Sequence, residues 1–260
     1  MTLSIPVLNY HGIQSRPGEY GWETGEKVYV LPLAAFQEQL QILARKSKSL
    51  VCGDLKNAEA RGVLLTFDDG HVSHFEHARP ALKAAGFSGV FFVSAGLVGE
   101  KDFMNAGQLR EMIREGFEIG SHGYHHVPLP GLSLEQLNVE MRDSKKRLED
   151  LLGSEVRSFS IPRGFYHSRI RSAAEEAGYH YLFTSHFGLQ AAGGDLLYIR
   201  RMAVTADTTS KQFESWIDGA LGMKLWVEEA KEKTRQLIGP SGYEKMALIK
   251  ARLRTMTRKG

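Results

Sequence analysis

Residues 63–70 of this 260-residue chain read VLLTFDDG, an apolar run that ends in two adjacent carboxylates and a glycine. The run predicts a buried β-strand, and a helical pattern follows it over residues 73–85. Adjacent side chains of a regular strand point to opposite faces, so Asp68 and Asp69 can serve one site only where the strand ends and twists. Gly70 supplies that break. The alternative interpretation is an Asp-Asp-Gly turn that caps the next helix.

Outward from this strand, short apolar runs alternate with longer stretches of helical periodicity. Such alternation predicts an α/β fold of repeated βα units around a parallel sheet. Ser133 and Gln136 fit a capping box at the start of one helix. The predicted helices occupy residues 33–44, 73–85, 105–114, 133–152, 168–177 and 210–220. The seven predicted strands occupy residues 5–10, 63–67, 89–93, 117–120, 157–161, 181–184 and 198–204.

The composition is that of a globular protein, with 42% hydrophobic and 24% charged residues, and it excludes global disorder. Because Cys52 is the only cysteine, an intramolecular disulfide and a zinc finger are excluded, and a metal site must use histidine and carboxylate ligands. No uncharged apolar run is long enough to span a bilayer, and the first residues do not resemble a secretory signal. We therefore expect a cytoplasmic protein.

Charge divides the chain into two parts. Residues 223–260 contain ten Lys and Arg against four Glu, although the net charge of the whole chain is only +3. We therefore predict a barrel domain over residues 1–222 and a basic helical tail over residues 223–260. The apolar stripe of the tail would either pack on the domain or make peripheral contact with an anionic membrane. The body is not basic and has no RNP-like aromatic pattern, so a nucleic-acid partner is not expected.

A second polar motif lies about fifty residues after the first, where residues 120–126 read GSHGYHH. His122 and His126 are four residues apart, so their rings can converge on one ion. Asp69 would complete a three-ligand set that leaves positions open for water and substrate, as in catalytic metal sites. With ten histidines in the chain, this spacing can also arise by chance. A third group, His71, His74 and His77, is interpreted as a solvated helix face.

The strand-borne TFDDG followed by H-x-x-x-H resembles the polysaccharide deacetylase family, also called the NodB-homology or carbohydrate esterase family 4 domain. The resemblance covers about residues 5–204. It implies a deformed (β/α) barrel of about seven parallel strands that hydrolyses the N-acetyl group of amino sugars with a divalent metal, usually zinc. By position, Asp68 matches the catalytic base. Asp69, His122 and His126 match the metal ligands.

The sequence departs from the family pattern at two motifs. Gly123 stands where the family usually has a Ser or Thr that braces the histidine loop, so the bracing must come from elsewhere. In the third motif, residues 159–164 read FSIPRG. Ser160 replaces the Arg that normally pairs with the base, and Arg163 replaces a Tyr whose backbone N–H binds the oxyanion. The Arg163 side chain could also supply the missing positive charge near Asp68; the alternative is a surface loop residue.

The general acid also departs from the pattern, because residues 198–205 contain no histidine. Residues 8–11 read LNYH, which looks like the L-x-Y-H segment of the biofilm poly-N-acetylglucosamine deacetylase branch. The first and last strands of a closed barrel are neighbours, so His11 could reach the site from the other side. His167 and His186 are the reserve candidates.

Taken together, these residues and the family that they resemble predict a metal-dependent hydrolase that removes an N-acetyl group from an amino-sugar polysaccharide or oligosaccharide. Two alternatives remain open. One is a deformylase or amidase acting on a small or lipid-linked amide. The other is a barrel that binds carbohydrate without catalysis.

Overall fold

A central sheet of seven parallel strands organises the molecule, for which the computed structural model describes residues 3–22 and 26–230. Each strand lies within, or shifted by one residue from, a predicted one. Hydrogen-bonded neighbours follow the order β7-β1-β2-β3-β4-β5-β6. The strands are β1 (Val7–Tyr10), β2 (Leu64–Phe67), β3 (Val90–Val93), β4 (Glu118–Ser121), β5 (Ser158–Ser160), β6 (Tyr181–Phe183) and β7 (Met202–Ala203).

The two edges of this sheet are brought together just before β7. Phe183 of β6 forms a parallel bridge with Ile199. The Thr184 N–H donates to the Ile199 carbonyl at 2.9 Å, and the Ile199 N–H donates to the Leu182 carbonyl at 2.9 Å. The fold is therefore the predicted deformed (β/α) barrel, and its last strand lies beside its first.

Alternate side chains of the strands divide between the barrel interior and the surrounding helices, as the pleat requires. The interior cluster includes Val7, Leu64, Val90, Phe92 and Phe183. The strand neighbours of these residues belong to a larger cluster that also contains the buried faces of the helices. Near-continuous apolar strands in the sequence reflect this burial on both faces.

The barrel interior is filled so closely that β4 requires a glycine. A Cβ at Gly120 would lie 2.5 Å from ring carbons of Phe92 and 2.5 Å from the Ser158 hydroxyl oxygen. Because Phe92 is wholly buried, its ring has little room to move. We expect Gly120→Ala to lower the free energy of unfolding by about 1–3 kcal/mol, as overpacking does, measured by urea denaturation. Gly53→Ala is the control, since nothing lies within 4 Å of its added Cβ; equal stability of the two variants would contradict the packing argument.

The helices lie where periodicity predicted them, with two interruptions. The segment predicted as one helix over residues 133–152 contains a π-helical turn, Val139–Asp143, between two α-helices. A second π-helical turn, His74–Ala78, precedes the helix after β2. Ser133 and Gln136 form the predicted capping box. The α-helices are α1 (Leu33–Lys46), α2 (Arg79–Ala85), α3 (Ala106–Arg114), α4 (Leu134–Asn138), α5 (Ser144–Leu152), α6 (Ser168–Glu176) and α7 (Ser210–Ile217).

The remaining elements are short. Two-residue strands pair Ser4–Ile5 with Gln190–Ala191 and Ile13–Gln14 with Leu31–Pro32. A further helical stretch covers residues 222–230, at the start of the predicted basic tail, and the rest of that tail lies outside the described residues. Among the helices of the described part, none has the length and apolar character needed to cross a membrane.

Candidate active site

The two polar motifs meet at one edge of the barrel because each follows a strand at its carboxyl end. Asp68 and Asp69 come directly after β2, and His122 comes directly after β4. Catalytic groups of βα barrels gather at this edge. Asp68 continues the inward alternation of β2, and Asp69 has a φ of 82°. The break that brings both carboxylates to one site therefore begins at Asp69 itself, and Gly70, with a φ of 77°, continues it.

Asp69, His122 and His126 form the only cluster of metal-ligand type among the described residues, with one ligand atom from each lying within 4.8 Å of the others. The Asp69 Oδ1 lies 3.3 Å from Nε2 of His122 and 3.1 Å from Nε2 of His126. The His122 Nδ1 donates to the Ser160 carbonyl at 2.8 Å, so the other ring nitrogen, Nε2, faces the carboxylate oxygen. Two electron-rich atoms facing each other fit a cation between them. The residues predicted as metal ligands thus suit a divalent ion.

Asp68 is buried beside Arg201, and the two side chains form a bidentate ion pair. Arg201 donates to the two Asp68 oxygens at 2.8 and 2.9 Å, and the Asn9 amide donates to Oδ2 at 3.0 Å. Burial acts to raise the pKa of Asp68, but the Arg201 charge overcomes it and holds the pKa well below its usual range. Asp68 is therefore ionised and held in one orientation.

Arg201 is the residue that sequence reasoning missed. It directly precedes β7, is 1% exposed, and uses all five of its N–H donors. Besides the bonds to Asp68, it donates to the Ser160 hydroxyl at 2.8 Å, the Thr66 hydroxyl at 3.3 Å and the Thr184 carbonyl at 2.9 Å. Ser160 occupies the position where the family usually has the Arg that pairs with the base. Its hydroxyl accepts a hydrogen bond from Arg201, the arginine that pairs with Asp68 in this chain. The available signal was an arginine inside the apolar run of the last predicted strand.

The Arg163 side chain does not pair with Asp68, which corrects the suggestion that it supplies the positive charge there. Arg163 is exposed and lies in the turn Pro162–Gly164 after β5, with a φ of 58°. Burial and, less strongly, the charge of Arg163 lower the pKa of His126. The hydrogen bond and charge of Asp69 outweigh them, so the pKa of His126 lies above its usual value. The oxyanion role of its backbone N–H stays a prediction.

His11 follows β1 and faces the same edge of the barrel. Its Nδ1 is buried without a hydrogen-bond partner, and its ring lies 4.8 Å from that of Tyr29. Burial lowers the pKa of His11, while the negative charges of Asp69 and Asp68 oppose this effect. His11 is thus close enough to both carboxylates to interact with them electrostatically.

The two reserve histidines are engaged in local contacts instead. His167 caps α6, where its Nδ1 accepts from the Arg169 N–H at 3.2 Å. The Nδ1 of His186 lies 2.8 Å from the Tyr198 hydroxyl. Neither contact involves a residue of the two polar motifs, so the geometry favours His11 over both.

The expectation that His71, His74 and His77 form a solvated helix face is wrong. His71 and His74 are buried. His71 lies before the helix, in an isolated β-bridge with Phe103, and the π-helical turn at His74–Ala78 changes the face that helical spacing assigns to the other two. The Nε2 of His74 lies 2.7 Å from the carbonyl of His11. His74 therefore supports the backbone that carries His11.

Fold and site together define a parallel βα barrel with a candidate metal centre at the carboxyl edge of its strands, and part of this barrel is similar to a known family. Residues 55–182 match the family model described as polysaccharide deacetylase. The chain therefore contains a polysaccharide deacetylase domain over these residues, as the motifs implied.

Individual relatives extend the similarity beyond the matched segment. The chain is 29% identical over 222 residues to "Putative polysaccharide deacetylase YxkH" of Bacillus subtilis, covering 82% of this chain and 76% of that protein. It is 24% identical over 240 residues to the poly-beta-1,6-N-acetyl-D-glucosamine N-deacetylase of Staphylococcus aureus, covering 82% and 83%. The solved structure of Streptococcus pyogenes deacetylase PplD in complex with acetate has a TM-score of 0.74 and 24% identity, covering 85% of this chain and 99% of that one. The last similarity supports the barrel fold.

Proposed function

We propose that this protein is a metal-dependent hydrolase that removes an N-acetyl group from an amino-sugar polysaccharide or oligosaccharide. The observation that carries the proposal is the convergence of Asp69, His122 and His126 beside the ionised Asp68 in a polysaccharide deacetylase domain. The amino-sugar substrate class is supported by the name of the Staphylococcus aureus relative. A metal held by histidine and carboxylate ligands also agrees with a chain that has a single, buried cysteine.

Each step of amide hydrolysis has a candidate group at this edge of the barrel. A divalent ion, most simply Zn²⁺, would be held by Asp69, His122 and His126, and would supply Lewis-acid activation of water and of the acetyl carbonyl. Asp68 accepts the proton of the attacking water. The Arg163 backbone N–H donates to the tetrahedral oxyanion. His11 in its protonated form, which the negative charges of Asp69 and Asp68 favour against the effect of burial, donates its proton to the departing amine.

A panel assay separates this proposal from its alternatives. The purified protein is loaded with Zn²⁺ or Co²⁺, its metal content is measured, and acetate and formate release are followed from chitin oligomers, peptidoglycan and N-acetyl or N-formyl amides. Acetate released from amino-sugar polymers supports the proposal. Release of formate, or release of acetate from small amides alone, would instead indicate a deformylase or amidase. Binding of glycans without release of acetate or formate would indicate a non-catalytic barrel.

The general-acid role of His11 predicts a large effect of removing its imidazole. We expect His11→Ala to lower kcat for acetate release by a factor on the order of 10² to 10⁴, the usual range for a positioned acid or base. Metal content should not change, because His11 is not one of the three ligands. The matched control is His186→Ala, which we expect to retain activity. Wild-type turnover by His11→Ala, or a loss confined to His186→Ala, would refute the assignment.

A further inference from the structure

The loop that carries His122 and His126 lacks the hydroxyl side chain that the family usually places at position 123, yet a buried carboxylate holds it. Glu140 is 2% exposed. Its Oε2 accepts from the N–H of Tyr124 at 2.7 Å and from the N–H of His125 at 3.1 Å. Its Oε1 lies 2.7 Å from Nδ1 of His125. One carboxylate thus binds the two residues that precede His126.

Gly123 and Glu140 depend on each other sterically. Gly123 has a φ of +80°, and a Cβ there would lie 2.7 Å from the Glu140 Oε2. A side chain at position 123 and the carboxylate in its observed place therefore exclude each other. The glycine that appeared to remove a brace from the loop makes room for a different one.

The π-helical turn Val139–Asp143 carries Glu140 between α4 and α5, and the turn is itself bonded to the end of β4. The Ser144 hydroxyl donates to the Glu140 carbonyl at 2.6 Å and lies 2.9 Å from the Ser121 hydroxyl. The Ser121 hydroxyl in turn accepts from the Gly123 N–H at 3.2 Å. The position of the carboxylate is thus fixed relative to the strand that delivers His122.

We propose that Glu140 is the positioning residue for the metal-binding histidine loop: through the backbone amides of Tyr124 and His125 it holds His126 against His122 and Asp69. The inference rests on the proposed metal-dependent function. Glu140 does not act on the reacting groups itself. Groups that orient metal ligands commonly affect metal affinity by 10- to 100-fold.

Two nearly isosteric variants test this role by metal affinity, measured as Co²⁺ absorption and Zn²⁺ competition on the apoprotein. Glu140→Leu removes both acceptor oxygens, so we expect the metal dissociation constant to rise 10- to 100-fold. Glu140→Gln keeps one oxygen for the two backbone amides, and its amide can donate to His125 Nδ1 in the other tautomer. We therefore expect Glu140→Gln to remain within a few-fold of wild type.

Two controls exclude a merely structural role. Leu148→Ala truncates a wholly buried residue of the adjacent α5, so it should lower the Tm without changing metal affinity. His125→Ala removes only the third contact of Glu140 and should have little effect on metal binding. If Glu140→Leu lowers the Tm as Leu148→Ala does but binds metal as tightly as wild type, the inference is wrong. A wild-type protein that binds metal but releases no acetate would refute the proposed function alone, whereas one that binds no divalent metal would refute both.

Discussion

The Asp68→Asn variant is expected to release no detectable acetate while it keeps the metal content of the wild-type protein. An amide cannot accept the proton of the attacking water, and positioned bases contribute about 10²- to 10⁴-fold to such reactions. In the wild-type protein Arg201 and Asn9 hold Asp68 as a carboxylate. The substitution therefore removes a base that is present in its active, ionised form. The three metal ligands are left in place. Acetate release and metal content, measured on the same preparation, check the prediction.

Lost stability has to be separated from lost chemistry in this variant. Asp68→Asn leaves the buried guanidinium of Arg201 without its counter-charge, and breaking a buried ion pair typically costs about 3–5 kcal/mol. The double variant Asp68→Asn/Arg201→Met removes both charges, so we expect much of the stability to return without activity. Residual turnover near the wild-type rate in either variant would contradict the base assignment.

Most of the fold followed from the sequence because burial on both faces gives the strands a strong signature. Each barrel strand is a short apolar run bounded by turn residues, and each helix shows the 3.6-residue period. The insertions that create π-helical turns at His74–Ala78 and Val139–Asp143 leave no such signal, since the apolar pattern continues through them. This is why residues 133–152 were predicted as one helix. The His71–His77 spacing gave the wrong face for a second reason as well, because His71 lies before the helix in an isolated β-bridge with Phe103.

The candidate metal ligands followed from the sequence because strand ends and motif spacing carry local information. Arg201 and Glu140 did not, because each acts across elements that are distant in the chain. Arg201 reaches Asp68 only because closure of the barrel places β7 beside β1 and β1 beside β2. Arg200 and Arg201 are equally charged in the sequence, and only the pleat decides which of them points inward. Glu140 meets residues 124 and 125 only through the π-helical turn.

Replacing Arg201 by Met is expected to move the acidic limb of the pH dependence of kcat/KM to higher pH. Without the guanidinium, burial is the dominant influence on Asp68, and burial raises the pKa of a carboxyl group. The base is then protonated at pH values where the wild-type base is ionised, so activity near pH 7 falls and is partly regained in alkaline solution. Arg201→Lys keeps the charge but loses the bidentate geometry, so its limb should shift less. A limb that stays at the wild-type pH in Arg201→Met would show that Arg201 does not set the ionisation of Asp68.

The contribution of Asp68 to the free energy of unfolding should depend on pH with opposite signs in Arg201→Met and in the wild-type protein. In wild type the folded-state pKa of Asp68 lies below its unfolded value of about 3.9. That difference stabilises the fold above the unfolded pKa and is lost as the pH falls through the folded one. In Arg201→Met the folded pKa lies above the unfolded value, so proton uptake by Asp68 favours the fold at low pH. The loss of about 3–5 kcal/mol expected near pH 7 should therefore shrink on acidification, measured by urea denaturation between pH 4 and pH 8. The stabilising effect of Arg201 depends on pH only through the protonation of Asp68. A loss of stability that is constant over this range would therefore mean that Arg201 contributes packing and hydrogen bonds but no charge compensation.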